Sequence, residues 1–514
     1  MTVTVPGTGS TTVTLTGGAG DVLNLAAEIG AALDTLVSGL DTSAQTISGS
    51  VTVPAAPTVG TGTQTLVVLS GSSSVNATVP AGYDYVIDNT TGQSTIVGSN
   101  IALVGNDSGG TYTVTGGSTV AASGGNNAIY GTGTTEISAG SGNDTILIAG
   151  SGTAAGGGGS NTLVGSGTTC LQSGGTKDVV FLSDGNNTIG SSGTGAAILG
   201  NAGTITASIS GGNTTVAAGG ANLAATLSGS GGVVFGGSGT TNLSVSGSGS
   251  TLVGGTGSGT INSGTSGSLI FGTSGALSVN SGSGTSTFVG GAGTATVNAT
   301  GSALAFGNTG ILNFVGGSGV LTVIGGVGGQ ERVTVGAGGL VQVEGQGGQA
   351  TITSGAGQAT LYGASGSIIN FVGSNKGFMW LGGSGNETIN ASTSSTNNTM
   401  FGSQSDSNSA RMLGGSNNDQ FVAGQGTATM TGGAGSDFFA FFNSLTVGKA
   451  NVVTDFDTAD VVGLLGYGKT AAEVLATATV GTGGVTLTLA DATTITFSSL
   501  TNASQLNGRI VTNS

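Results

Sequence analysis

The stretch that decides the fold is VVFGGSGTTNLSVSGSGS (233–250), because the residues after it repeat its pattern in rows of nearly the same length. The next rows are TLVGGTGSGTINSGTSGS (251–268), LIFGTSGALSVNSGSGTS (269–286) and the seventeen-residue TFVGGAGTATVNATGSA (287–303). Each row opens on apolar residues, turns at glycines and continues into a short segment where apolar and small polar residues alternate. The sequence therefore contains an internal repeat of eighteen residues.

The phase of this repeat also extends towards the N-terminus. Alternation of apolar and polar residues is typical of a half-buried strand, and glycine supplies the turns with positive φ. Two strands and two turns per row form one coil of a parallel β-solenoid. Apolar residues recur at eighteen-residue steps at Val180, Ile198, Val216, Val234, Leu252, Ile270 and Phe288.

Stacked coils of this kind predict an elongated molecule. Successive coils lie about 4.8 Å apart, so about seventeen coils between residues 129 and 440 would form a rod on the order of 80 Å long. Small inward residues favour a flattened coil whose two sheets lie close together. We expect an all-β fold with three parts, which are an N-terminal cap or assembly region (1–60), a glycine-rich solenoid (61–440) and a C-terminal secretion region (441–514).

Composition excludes several classes of protein. Of 514 residues, 107 are glycine and only 4 are proline, and glycine is not at every third position, so the chain is not collagen. Hydrophobic residues make up 36% and charged residues 6%, which is the opposite of charge-driven disorder. One cysteine cannot form an internal disulfide, and the absence of histidine excludes every mechanism that needs that side chain.

Charge is scarce and mostly negative. The chain has 22 acidic and 7 basic residues, no basic residue precedes Lys177, and no charged residue occurs between Gly185 and Gln330. Nucleic acids and anionic membranes both require basic patches, so neither is an expected partner. No apolar run reaches the length of a membrane span, so we expect no membrane insertion. Cations are the expected ligands.

Four turns carry an acidic residue that would face inward across the turn. Their glycines expose backbone carbonyls, and a site made only of oxygen atoms suits a hard cation, above all Ca²⁺. They fit or nearly fit the pattern G-G-x-G-x-D-x-U-x of calcium-binding β-helix repeats. The four are AGSGNDTIL (139–147), GGSGNETIN (382–390), GGSNNDQFV (414–422) and GGAGSDFFA (432–440).

These turns resemble the RTX family, whose hemolysin-type calcium-binding repeats belong to proteins exported by type I secretion. In that family calcium lies between turns of adjacent coils. Asp419 and Asp437 are eighteen residues apart and would stack on one edge of neighbouring coils, so the resemblance implies that they share a calcium ion. The implied carbonyl ligands are those of Gly414, Gly415, Gly432 and Gly433.

Other positions leave the calcium hypothesis open or argue against it. Asp144 and Glu387 are either metal ligands or solvated turn carboxylates. In the middle of the repeat the aspartate position holds Thr241, Gly259 or Ala295, so no tight calcium site is expected there. We expect backbone ladders, hydrogen bonds of Asn, Ser and Thr, and apolar stacking to hold those coils together.

The C-terminal hundred residues extend the resemblance. VVTDFDTADVVGLL (452–465) is similar to the segment that ends RTX β-rolls. Its Asp455, Asp457 and Asp460 either contribute a terminal calcium site or only cap strand ends. The tail predicts a hairpin around Ala490-Asp491-Ala492 and resembles the uncleaved secretion region of type I substrates. The first residues show neither a basic segment nor an apolar run, so no N-terminal signal peptide is expected.

Two further features have open interpretations. Residues spaced 4-3-4-3-4 predict an amphipathic helix at 22–40 that either mediates self-association or caps the first coil. Cys170 is either a small apolar strand residue or a site of intermolecular pairing. The helix positions are Val22, Ala26, Ile29, Leu33, Leu36 and Leu40.

The repeat occupies most of the chain, and this restricts the possible functions. A metalloprotease motif or a Ser-His hydrolase needs histidine, and no catalytic domain fits beside the repeat, so we predict a non-enzyme. A long uncharged sheet lacks the charges that prevent sheet-to-sheet association. We expect a secreted protein that forms homo-oligomers or polymers on or near the cell surface. The alternatives are an adhesin for cell-surface polysaccharide and, less favoured, a secreted hydrolase or toxin.

Overall fold

The computed structural model describes residues 2–5, 11–14, 45–47, 52–61, 64–264 and 267–513. They form a nearly all-β parallel β-solenoid of about 21 coils with about 18 residues per turn, which confirms the predicted fold class. The predicted helix at 22–40 lies outside the described residues. Most of the predicted cap at 1–60 lies outside them as well.

The chain divides into two compact units, Met1–Ser258 (unit 1) and Gly259–Ser514 (unit 2). The strands of unit 1 are β1 (Thr2–Val5), β2 (Thr11–Thr14), β3 (Gln45–Ile47), β4 (Leu66–Gly71), β5 (Asn76–Thr78), β6 (Tyr85–Thr90), β7 (Ser94–Ser99), β8 (Ala102–Val104), β9 (Gly110–Thr115), β10 (Thr119–Ala121), β11 (Ala128–Ser138), β12 (Thr145–Ala155), β13 (Thr162–Ser173), β14 (Val179–Leu182), β15 (Asn186–Ser191), β16 (Ala197–Gly200), β17 (Thr204–Ile209), β18 (Thr215–Ala217), β19 (Asn222–Leu227), β20 (Val233–Phe235), β21 (Thr241–Val245) and β22 (Thr251–Val253).

Unit 2 contains two short helical segments, α1 (Ala471–Leu475) and a 3₁₀ helix (Ala503–Leu506). Its strands are β23 (Gly259–Ser263), β24 (Leu269–Phe271), β25 (Leu277–Ser281), β26 (Ser286–Val289), β27 (Thr294–Ala299), β28 (Ala303–Phe306), β29 (Ile311–Gly316), β30 (Leu321–Ile324), β31 (Gln330–Thr334), β32 (Leu340–Val343), β33 (Gln349–Thr353), β34 (Ala359–Tyr362), β35 (Ile368–Val372), β36 (Phe378–Leu381), β37 (Glu387–Asn390), β38 (Thr399–Phe401), β39 (Ser409–Leu413), β40 (Gln420–Val422), β41 (Thr427–Thr431), β42 (Phe438–Phe442), β43 (Ala450–Val453), β44 (Val461–Leu465), β45 (Thr479–Gly481), β46 (Gly484–Thr488), β47 (Thr494–Phe497) and β48 (Ile510–Asn513).

In unit 1 the strands of successive coils pair in parallel, so that each coil adds one strand to each of two sheets. Sheet A contains β15, β17, β19 and β21, and sheet B contains β14, β16, β18, β20 and β22. The long strands β11, β12 and β13 bend from sheet B into sheet A. A separate antiparallel pair is formed by β1 and β2.

The core lies between the two sheets of each unit. In strands such as β19 and β21 buried and exposed residues alternate, as the sequence pattern predicts, whereas β4, β42 and β44 each contain at least three consecutive buried residues. The seven apolar positions of the eighteen-residue phase are all buried, from Val180 in β14 to Phe288 in β26. Their inward orientation confirms the predicted register of the repeat.

Coil length varies more than the sequence predicts. Ile129 pairs with Ile146, a step of seventeen residues, whereas Val180 pairs with Ile198, a step of eighteen. In unit 2 the step is twenty-three between Phe439 and Val462, and it is forty-four between Ala450 and Thr494, where α1 and the strands β45 and β46 lie between the paired strands. Because the additional residues lie between strands, the inward side chains stay in register.

The last strands of unit 2 continue its sheets beyond residue 440. The predicted boundary at 441 falls inside β42, and β47 and β48 stack in parallel on β43 and β44. The antiparallel pair β46–β47 confirms the predicted hairpin, with Ala492 in a left-handed turn at φ 68°. The rings of Phe421 and Phe439 stack at 5.0 Å in the core between the sheets.

Candidate functional site

Three buried carboxylates form a column in unit 2, which we call the aspartate ladder (Asp419, Asp437 and Asp460). The backbone amide of Asp419 donates to Asp437 Oδ1 at 2.7 Å, and that of Asp437 donates to Asp460 Oδ1 at 2.9 Å. Asp419 Oδ1 accepts from the backbone amide of Asn398 at 2.7 Å. All three carboxylates are buried, so the structure brings Asp419 and Asp437 together as their spacing predicts.

The glycines of these turns approach the carboxylates through their amides. Gly415 N–H donates to Asp419 Oδ2 at 2.7 Å. A Cβ at Gly414 would crowd Asp419 Oδ2, and one at Gly432 would crowd Asp437 Oδ2, so only glycine allows this close approach. The implied role of these glycines as carbonyl ligands stays a prediction.

Asp455 and Asp457 differ from the ladder in position. Asp455, half-buried, accepts from Gly432 N–H through Oδ1 and from Gly433 N–H through Oδ2, both at 2.8 Å. Asp457 is exposed, and its backbone amide donates to Asp460 Oδ2 at 2.9 Å. Hydrogen bonds of this kind are expected if these aspartates cap strand ends, which is one of their two interpretations.

The ladder concentrates negative charge where water cannot screen it. Burial is the largest of the effects that together raise the pKa of the Asp437 carboxyl to about 7; the bond from the Asp419 amide opposes it, and the charges of Asp460, Asp419 and Asp455 add to it. Burial likewise raises the pKa of Asp419 to about 6. The ion pairs seen in the described part of the chain, Lys449–Asp406 and Lys469–Glu473, involve no member of the ladder.

One oxygen of this column is free to bind a cation. Asp437 Oδ2 is buried and has no hydrogen-bond partner. A hard cation suits a carboxylate oxygen surrounded by further negative charge. Among the described residues no group of three or more His, Cys, Asp or Glu side chains forms a metal centre by itself. Calcium held at Asp437 would therefore need backbone carbonyls among its ligands.

Unit 1 contains a second column, the asparagine–aspartate ladder (Asn127, Asp144, Asn161 and Asp178), with one member every seventeen residues. The backbone amide of each of the first three donates to the Oδ1 of the next, at 2.7, 2.9 and 2.7 Å. Gly110 N–H donates to Asn127 Oδ1 at 3.0 Å. The calcium-repeat pattern did not predict this column, because that pattern requires a carboxylate and two members of the column are asparagines.

Asp144 and Glu387 are both buried, so the interpretation of either as a solvated turn carboxylate is wrong. Asp144 directly precedes β12, whose first residue, Thr145, is exposed, and Glu387 is itself the buried first residue of β37. Burial raises the pKa of Asp144 to about 6, and burial also raises the pKa of Glu387. Glu387 Oε1 accepts from Gly385 N–H at 2.9 Å.

A further acidic pair, Glu331 and Glu344, was not singled out in the sequence. Both carboxyls are buried, and burial and the charge of Glu331 raise the pKa of Glu344 to about 8. Gln342 Nε2 donates to Glu344 Oε2 at 3.2 Å. The available signal was alternation, because Val333 points inward and Glu331 precedes it by two residues in β31.

Cys170 lies in β13 on the outward face of sheet A and is half-buried, paired in register with Thr153 and Thr188. Its place in a strand agrees with the simpler of its two interpretations. No described helix has both the length and the apolar character needed to cross a membrane.

The fold defines the chain as a parallel β-solenoid protein. No family model, curated protein or solved structure matches it. What the protein does must therefore be argued from the ladders and the sheet faces themselves.

Proposed function

We propose that this chain is a secreted structural protein that self-associates on or near the cell surface, in a surface layer, a biofilm matrix or a filament. The observation that carries the proposal is the combination of regular parallel sheets with a stretch from Gly185 to Gln330 that has no charged side chain. Soluble β-proteins commonly protect such surfaces with lysine, glutamate or proline. A face without this protection favours association.

The proposal includes calcium at the C-terminal coils and export by type I secretion machinery. Support for calcium comes from the free Asp437 Oδ2 and the neighbouring carboxylates, and support for export comes from the resemblance of 414–422, 432–440 and 452–465 to RTX repeats. Asp419 and Asp437 are the proposed ligand side chains. When bound, the ion would supply the positive charge that this column lacks.

The test is direct imaging of the purified full chain. Electron microscopy and light scattering in millimolar calcium, compared with chelator, should show ordered assemblies that grow with protein concentration. Particles that stay monomeric at every concentration in calcium would contradict self-association.

One observation favours a second function, adhesion to polysaccharide. On the outward face of sheet C, the sheet of unit 2 that contains β23, β25 and β27, Asn280 Nδ2 donates to Asn262 Oδ1 at 2.8 Å, and Asn298 Nδ2 donates to Asn280 Oδ1 at 3.0 Å. These exposed amides repeat once per coil and could bind sugar hydroxyls. Glycan-array binding that is lost in Asn280→Ala would support adhesion.

A further inference from the structure

The outward face of sheet B carries one mainly apolar column of side chains over ten successive coils of unit 1, beside a second outward column of threonine, alanine and valine. One outward residue per strand stacks in register on the next, and none of them is charged. This apolar column consists of Val97, Thr113, Tyr130, Leu147, Val164, Phe181, Leu199, Ala217, Phe235 and Val253.

The outward face of sheet A has different chemistry. Its corresponding residues are mainly hydroxyl-bearing, amide or acidic side chains, and most of them are exposed. This polar column consists of Thr119, Glu136, Thr153, Cys170, Thr188, Thr206, Ala224 and Asn242.

Large side chains of the apolar column reach solvent. Tyr130 is 39% exposed, Phe181 43% and Phe235 45%, although each has strand neighbours on both sides. They recur every third coil, about 14 Å apart. Contiguous apolar surface of this extent on a soluble protein marks an interaction site.

We propose that the outward face of sheet B in unit 1 is the surface through which copies of this chain associate, each apolar column packing on that of a second copy. This assignment rests on the proposed self-association and names the face that performs it. Two such columns are complementary because neither carries charge and both have the same spacing from strand to strand. The polar column then faces solvent or other molecules.

The area of the face fits a second copy. Ten strands at about 4.8 Å, with about three residues of each strand across the face, give on the order of 450 Å² per copy and 900 Å² per pair. That exceeds most crystal contacts but is below the area of a standard stable interface. A single contact should therefore be weak, and association should depend steeply on protein concentration.

A lipid surface fits this face less well. Anionic headgroups are attracted by clusters of basic residues, and Lys177 is the sole lysine or arginine before residue 259. A sugar polymer would need donors and acceptors beside the aromatic rings, and the outward residues two positions before Phe181 and Phe235 in their strands are Val179 and Val233.

The test compares matched double variants of the full chain. Phe181→Lys with Phe235→Lys places charge on the apolar column, and Thr188→Lys with Asn242→Lys places the same charge on the polar column of the same coils. Sedimentation velocity in calcium should show that the first variant needs at least tenfold more protein to associate, whereas the second behaves as wild type. Unchanged circular dichroism and melting temperature would verify that both fold.

The single thiol gives an independent check. A bulky maleimide on Cys170 blocks the polar column of wild-type protein, and association should survive this label. If the label or the polar-column variant abolishes association while the apolar-column variant retains it, the face is wrongly assigned although self-association stands. If wild type never associates, the proposed function fails together with this inference. Wild type that stays monomeric yet binds phosphatidylcholine–phosphatidylglycerol vesicles through Phe181 and Phe235 would identify lipid as the occupant instead.

Discussion

The asparagine–aspartate ladder of unit 1 and the aspartate ladder of unit 2 use the same hydrogen bond but different side chains. In both, a backbone amide donates to the side-chain oxygen one coil further along the chain. In unit 1 a neutral asparagine separates Asp144 from Asp178, so the carboxylates are two coils apart, about 10 Å. In unit 2 Asp419, Asp437 and Asp460 follow one another in consecutive coils.

The difference teaches what such a ladder needs besides its hydrogen bonds. Halving the distance between two buried charges doubles their repulsion. Burial is the main cause that raises the pKa of both carboxyls, to about 6 in Asp144 and about 7 in Asp437. The charge of Asp178 adds to the first, and the charges of Asp460, Asp419 and Asp455 add to the second. Asp144 and Asp437 each have a buried Oδ2 without a hydrogen-bond partner, but the consecutive ladder adds more neighbouring negative charge and so has the greater need of a proton or a cation.

The largest effect is expected when the ladder of unit 1 is given aspartates in consecutive coils, like the ladder of unit 2. Asn161→Asp would insert a third carboxylate between those of Asp144 and Asp178 and remove the bond from Asn161 Nδ2 to Gly158 O. A buried unpaired charge should cost about 3 to 4 kcal/mol at pH 8, and lowering the pH to 5 should recover most of it. Urea unfolding followed by circular dichroism measures the loss. Equal stability of variant and wild type at pH 8 would show that alternation is unimportant.

The reverse change places an asparagine between the two outer aspartates of the ladder in unit 2. Asp437→Asn keeps the acceptor Oδ1 and replaces the unpartnered Oδ2. Wild type should gain about 2.7 kcal/mol when free calcium reaches a hundred times its dissociation constant. The variant should lose this gain and be more stable than wild type in chelator. Differential scanning calorimetry with and without calcium measures both effects.

The matched control is Asp144→Asn, which removes one charge from the alternating ladder. It should leave the calcium response unchanged. A calcium response that survives in Asp437→Asn but disappears in Asp144→Asn would place the ion in unit 1.

The third test uses Glu331 and Glu344, two buried carboxyls that no neutral side chain separates. Here the repulsion is relieved because Glu344 stays protonated. The folded-state pKa of Glu344, about 8, exceeds its ordinary value of 4.5, so its contribution to stability is complete below pH 4.5 and is lost as pH rises to 8. Between pH 6 and pH 8 wild type should lose about 2 kcal/mol from this pair. In Glu344→Gln that loss should be absent in chelator, as measured by urea unfolding at each pH. A profile identical to that of wild type would contradict the raised pKa of Glu344.

Much of the fold was readable because its period is regular. The inward positions of Val180 to Phe288 and the stacking of Asp419 on Asp437 both follow from a step of eighteen residues. The coils of seventeen and twenty-three residues did not follow, because turns can lengthen without changing which residues face the core. The role of Asn127 and Asn161 was hidden because an asparagine in a glycine-rich turn has many local uses.

The residues of the apolar column could be found in the sequence, because they are neighbours of the inward residues in the same strands. Phe181 and Phe235 each follow an inward valine by one position. A pattern of alternating residues gives two faces for each strand, but only the pairing of strands shows which outward residues share a sheet. The contrast between sheet B and sheet A therefore needed the structure.

The stacking of one coil on the next has a consequence for how the chain folds and for how its length can evolve. Apart from β43–β47 and β44–β48, every parallel pairing described within a unit joins residues sixteen to twenty-three apart. Closing each of these coils therefore costs nearly the same chain entropy wherever it occurs. Folding can then spread from coil to neighbouring coil, and whole coils can be added or removed without changing the connectivity of the rest. The length of such a chain is a quantity that duplication and deletion can adjust in steps of one turn.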